Sequence, residues 1–73
     1  MRKTEWTLPD SDELDLFLAQ PLHQRGARLL AMTPTRRIAY AVAYARRAGS
    51  MPNQVMVLFD RWKALHLDTK QRD

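Results

Sequence analysis

Five residues in one short stretch carry the chemistry of a gripping surface. Arg36, Arg37, Tyr40, Tyr44 and Arg47 recur at helical spacing in RRIAYAVAYARR, opposite a stripe of Ile38, Val42 and Ala45. A guanidinium forks onto phosphates and carboxylates as an ammonium cannot. A tyrosine ring stacks on an unpaired base, and interleaved Arg and Tyr can hold a single strand by its phosphates and bases together. The same two residue types dominate the hot spots of protein interfaces. Such a face binds something without saying what. Its plain alternative is a solvated helix side with tyrosine rings lying over apolar neighbours. On this reading Arg36, Arg37 and Arg47 lie away from the core and are dispensable for folding.

The charge distribution sharpens the question. The chain has 73 residues and a net charge of +4. Residues 1–20 sum to −3, residues 21–50 to +6 with no acid among them, and residues 51–73 to +1. Arg25, Arg28, Arg36, Arg37, Arg46 and Arg47 make up the central block, so an electropositive surface is expected there. The bland alternative is the arginine-rich solvated surface common in proteins from GC-rich genomes.

Other chemistry is poorly supplied. There is no cysteine, hence no disulfide and no thiolate zinc site, and His23 and His66 are too few and too far apart to suggest a metal cage. No glycine-rich phosphate loop is present. Ser11 and Ser50 sit where helix caps belong, and Asp10, Asp12, Glu13 and Asp15 are explained by the dipole of a helix start. A bundle this small has little room for a closed pocket. Neither an enzyme nor a cofactor is expected. The opening MRKTEWTLPD is basic but has no apolar run behind it, so no signal peptide is expected. No segment is long enough to cross a membrane, and a cytoplasmic protein is expected.

The elements that must position these residues follow from caps and periodicity. Residues 1–9 have no pattern and end at a proline, which predicts an extended, mobile arm. Trp6 within it would dock on the core or anchor a partner. Asp10 and Glu13 have capping-box spacing, and Leu14, Phe17 and Leu18 share a face of the helix that follows. Pro21 ends that helix and can open a second, with Leu22, Leu29 and Leu30 inward and Gly26 costing about 1 kcal/mol relative to alanine. Thr33 and Pro34 are a hydroxyl cap and a first-turn proline for a third helix, whose predicted inward stripe is Ile38, Ala41, Val42, Ala45 and Ala48. Gly49 is placed to end it in the left-handed region. Ser50 would cap a fourth helix with Val55, Leu58, Phe59, Trp62 and Leu65 inward. The expected architecture is all-α: a small three- to four-helix bundle over residues 10–67, an arm at 1–9 and a frayed tail at 68–73.

Helices three and four have the steric pattern of a DNA-binding helix-turn-helix. Ala45 is the small residue, Gly49 four positions on makes the turn, and Val55 and Leu58 seat the second helix. Its reading face fits DNA poorly. Met51, Pro52, Asn53, Met56, Val57 and Asp60 fall there, and of the residue types that read base edges, Arg, Lys, Asn and Gln, only Asn53 and the neighbouring Gln54 are present. Met56 and Val57 are better suited to a protein partner, since methionine adapts to irregular apolar surfaces. The alternative is that both are buried within the bundle.

Taken whole, with its arm MRKTEWTLPD and its core RRIAYAVAYARRAGS, the chain resembles the small phage-encoded transcription regulators that bind host bacterial RNA polymerase, of the kind found in Xanthomonas phages. That resemblance implies binding to the β and β′ subunits, displacement of sigma factor at initiation and suppression of termination. Contact with RNA or DNA inside the complex is possible on this reading, and the free chain is expected to be a monomer, since a polymerase binder has no need to dimerise. Partner-binding residues on this reading are Trp6, Arg36, Arg37, Tyr40, Tyr44, Arg47, Met56 and Val57. Two other readings stay open: a repressor that reads DNA with the same helix pair, and an antiactivator or inhibitor that sequesters a different regulatory protein.

Overall fold

The computed structural model describes the backbone of residues 7–72 and the side chains of residues 7–69. Four helices follow in order, and among the described residues there is no strand: α1 (Ser11–Leu18), α2 (Leu22–Ala31), α3 (Pro34–Ala48) and α4 (Pro52–Arg72). The protein is a small all-α bundle.

Local sequence places the boundaries. The Asp10 side chain accepts the Glu13 amide at 2.8 Å, and Thr33 accepts that of Arg36 at 3.2 Å, so α1 and α3 begin at the predicted caps. Gly49 has φ 69°, and the Ser50 amide returns to the Ala45 carbonyl at 2.9 Å, closing α3 as a glycine C-terminus does. Ser50 neither caps nor begins α4. The helix starts at Pro52, and its first turn hangs from the Met51 carbonyl, which the Gln54 amide meets at 3.0 Å. At the other end the helix continues past residue 68. It runs on to Arg72, and the Thr69 hydroxyl donates back to the Leu65 carbonyl at 2.9 Å. Lys, Gln and Arg are good helix formers, so a charged end with no stripe still continues a helix that packing has nucleated.

The core is aromatic. Phe17 of α1 lies 5.3 Å from Tyr40, 5.9 Å from Phe59 and 6.1 Å from Trp62, ring centre to ring centre. Tyr44 sits edge-on to Phe59 and Trp62, each at 6.1 Å. Leu14, Leu29, Ala41, Ala45 and Val55 complete this cluster. Five of the six aromatic residues of the chain are thus spent on one cluster, the sixth being Trp6, outside the described residues.

Three predicted stripes need correction. On α3 the buried residues are Ala39, Tyr40, Ala41 and Ala45, while Ile38 is 53% exposed. The helix is rotated toward its tyrosines because a phenol ring buries more area than an isoleucine and its hydroxyl finds an acceptor. On α2 only Leu29 of the three leucines is buried, with Leu22 and Leu30 exposed, and on α4 Leu65 is exposed. Gly26 explains the α2 arrangement. A Cβ there would lie 2.0 Å from the Trp62 carbonyl oxygen, so α2 and α4 touch backbone to backbone at this point. The glycine that weakens α2 locally is what lets the two helices meet.

Candidate partner-binding surfaces

The Arg/Tyr constellation is assembled, but against the protein itself. Arg36 donates to the Glu13 carboxylate and to the Thr7 carbonyl, both at 2.5 Å, and its guanidinium lies 5.0 Å above the Tyr40 ring. Tyr40 is 6% exposed, and its hydroxyl donates to the same Glu13 carboxylate at 2.6 Å. Burial, then the hydrogen bond to Glu13 and its negative charge, push the Tyr40 phenol up to about 12 against the opposing pull of Arg36. Arg47 donates to Asp15 at 2.5 Å and to the Ser11 hydroxyl at 2.8 Å. The acidic first helix thus lies on the basic third one, and the separation of charge in the sequence becomes contact in the fold.

The other arginines of the block hold helix ends. Arg37 donates to the Leu29 and Met32 carbonyls, at 3.0 and 3.2 Å, where α2 stops. Arg25 donates to the Gln20 carbonyl at 2.8 Å and to the Leu18 carbonyl where α1 stops, and its guanidinium lies 5.0 Å from the Trp62 ring centre. The last carbonyls of a helix have no partner within it, and an arginine from elsewhere satisfies two at once. Neither α1 nor α2 ends on a glycine, which is why each needs such a donor. Of the six central arginines, Arg28, Arg46 and Arg47 are exposed, and Arg47 is already engaged.

Tyr44 is half-buried beneath its ring contacts. Met56 is half-buried, and Val57 is 56% exposed, on the solvent side of α4. Met51 is 64% exposed in the turn before α4, and Asp60 is exposed and paired with Lys63 at 2.9 Å. Trp6 lies outside the described residues. The expected open Arg/Tyr face is therefore corrected: Tyr40 and Tyr44 turn inward, and Arg36 and Arg37 are held by the fold. Sequence reasoning also missed Arg25 and Gly26. The signal available for Gly26 was its position in the middle of a helix, where a glycine asks for a close neighbour.

Among the described residues no group of three or more His, Cys, Asp or Glu is arranged to hold a metal ion, and no helix is long and apolar enough to cross a membrane. No protein family, no curated protein and no solved structure matches the chain.

Proposed function

We propose that this protein is a phage-encoded, non-enzymatic regulator that binds bacterial RNA polymerase through its β and β′ subunits, hinders initiation by displacing sigma factor and suppresses termination. The polymerase as partner comes from the resemblance of the whole chain. The binding mode comes from one observation. In the α3–α4 pair, the face that would meet bases presents Met51 and Val57 to solvent, with Asp60 beside them. Apolar side chains leave base donors and acceptors unmet, and a carboxylate repels phosphate. They suit an apolar pocket on a protein. Because the Arg/Tyr constellation is occupied internally, the weight of binding shifts from Arg36, Arg37 and Tyr40 to Met51, Met56 and Val57. Arg28 and Arg46 remain for contact with acidic protein or emerging RNA.

The test is run-off transcription from a sigma-dependent promoter with purified polymerase, beside direct binding to immobilised core enzyme. The parent protein should bind and inhibit. Met51→Lys and Val57→Lys together should keep the helical circular dichroism and weaken binding at least about tenfold, the loss of a modest hot spot. A folded double variant that inhibits as well as the parent removes the Met/Val face from the reading. No binding to polymerase removes the reading itself, and a tight, salt-tolerant complex with one duplex sequence makes the protein a repressor instead.

A further inference from the structure

Along one flank of α4, Arg61, Ala64, Leu65 and Asp68 form an open, shallow and largely apolar surface. They are spaced at i, i+3, i+4 and i+7, and all four are exposed, Leu65 at 44%. This flank lies to one side of the face that Val55, Phe59 and Trp62 turn to the core. Its pattern is symmetric about its own centre: a basic residue at one end, an acidic one at the other, and a small and a large apolar residue between.

We infer that this flank is a self-association surface whose occupant is the same flank of a second copy of the chain, packed antiparallel. A two-fold axis passing between Ala64 and Leu65 sets Arg61 of each copy opposite Asp68 of the other and Leu65 opposite Ala64. The two ionic contacts and the two apolar contacts are then each made twice, as an isologous interface requires. Ala64 supplies the gap into which the opposing Leu65 fits, and lets the helix axes approach. A parallel pairing instead stacks Arg61 on Arg61 and Asp68 on Asp68, which is repulsive, so the charges select the antiparallel arrangement. A carboxylate accepts several donors, so Asp68 can take a guanidinium in addition to the contact it already makes. One helix flank is small beside the interfaces of stable dimers, so the association is weak, on the order of 0.1–1 mM. The monomer expected from the sequence is then the form present in dilute solution. Val57 lies one turn before Arg61, so a dimer competes with any partner held at Val57.

The test needs no polymerase, so it fails or succeeds independently of the function proposed above. Sedimentation equilibrium of the parent chain, from about 10 µM to about 1 mM, should show the mass rising from 8.5 kDa toward twice that value. Arg61→Asp alone and Asp68→Arg alone each turn two attractions into two repulsions and should weaken association at least about tenfold. Mixed in equal amounts, the two single variants regain both attractive pairs in a heterodimer and should associate at least as well as the parent. Within one helix these residues are about 10.5 Å apart along the axis, too far for direct contact, so recovery in the mixture can arise only between chains. Circular dichroism of each variant confirms the fold. A parent chain that stays monomeric to about 1 mM, or a mixture of folded variants that gains nothing, overturns the inference.

Discussion

Where α2 meets α4 the contact is backbone on backbone; where α1 meets α3 it is side chain on side chain, much of it charged. At the first, Gly26 lies against the Trp62 carbonyl and there is no room for a methyl group. At the second, Glu13, Asp15, Arg36, Tyr40 and Arg47 reach across an outer rim, with Phe17 beneath them in the aromatic core. The first contact fixes one distance and tolerates no change in size. The second fixes charge and hydrogen bonding, and answers to pH and salt. Packing therefore sets the bundle's geometry, and the arginines keep its ends and its acidic first helix in place.

The largest expected effect falls on the apolar part of the α1 contact. Phe17 is buried and touches three other rings, so Phe17→Ala should cost about 3–5 kcal/mol. That is most of the stability such a short chain can hold. Urea unfolding followed by circular dichroism should show a broad, early transition, with α1 detached. If the variant unfolds at the parent's midpoint, the rim holds α1 without Phe17 and the contrast above collapses.

Gly26→Ala tests the other contact by its sign. Helix propensity alone makes this change stabilising by about 1 kcal/mol. The clash with Trp62 should reverse that, to a net loss of about 1–3 kcal/mol as α2 and α4 are forced apart. A raised urea midpoint would mean that the helices do not meet at this glycine.

Gly26 also marks the limit of what could be read in advance. Caps at Asp10, Thr33 and Gly49 are local chemistry, complete within four residues, and all three hold. The predicted stripes hold only where one residue type outcompetes its neighbours, as Phe59 and Trp62 do on α4. On α3 two faces competed, Ile38/Val42 against Tyr40/Tyr44, and the winner depended on Glu13, 27 residues from Tyr40. The candidate binding site was misread for the same reason. An arginine aimed at a carbonyl in another element leaves no periodic trace, so Arg25, Arg36 and Arg37 looked like free charge. Charge reversal at Arg36, Arg37 and Arg47, harmless on the sequence reading, should instead lower stability by setting like charges against Glu13 and Asp15 and removing the donor from the end of α2. The exposure of Val57 was legible only as one of two alternatives, because burial on α4 depends on which flank its neighbours leave open.

Tyr40 gives a smaller and pH-dependent effect. Tyr40→Phe should cost about 1 kcal/mol near neutral pH, since Glu13 keeps Arg36 as a donor. A phenol raised from 10.0 to about 12 holds its proton more tightly in the folded state. Its stabilising effect is complete below pH 10 and is lost as the pH rises toward 12. The gap in stability between parent and variant should therefore narrow across that window. Tyr44 is common to both chains and cancels. A constant gap from pH 9 to 12 would mean that Tyr40 titrates alike folded and unfolded.

The smallest effect separates the two ion pairs on the rim. Arg36 and Glu13 have side chains 21% and 31% exposed; both meet Tyr40, and Arg36 also donates to the Thr7 carbonyl. Arg47 and Asp15 are 36% and 63% exposed. Coulomb attraction is weakened by water around a charge, and holding two long side chains in one geometry costs entropy. A double-mutant cycle on Arg47→Ala and Asp15→Ala should thus return a coupling of about 0.5 kcal/mol. The same cycle on Arg36 and Glu13 should return about 1–2 kcal/mol, because their hydrogen bonds are charge-assisted and partly shielded. Salt then distinguishes them further. At 1 M the screening length falls to about 3 Å, so the Arg47–Asp15 coupling should vanish while much of the Arg36–Glu13 coupling persists. Equal couplings at both salt concentrations would mean that the rim is uniformly solvated, and that α1 is held by Phe17 and Leu14 alone.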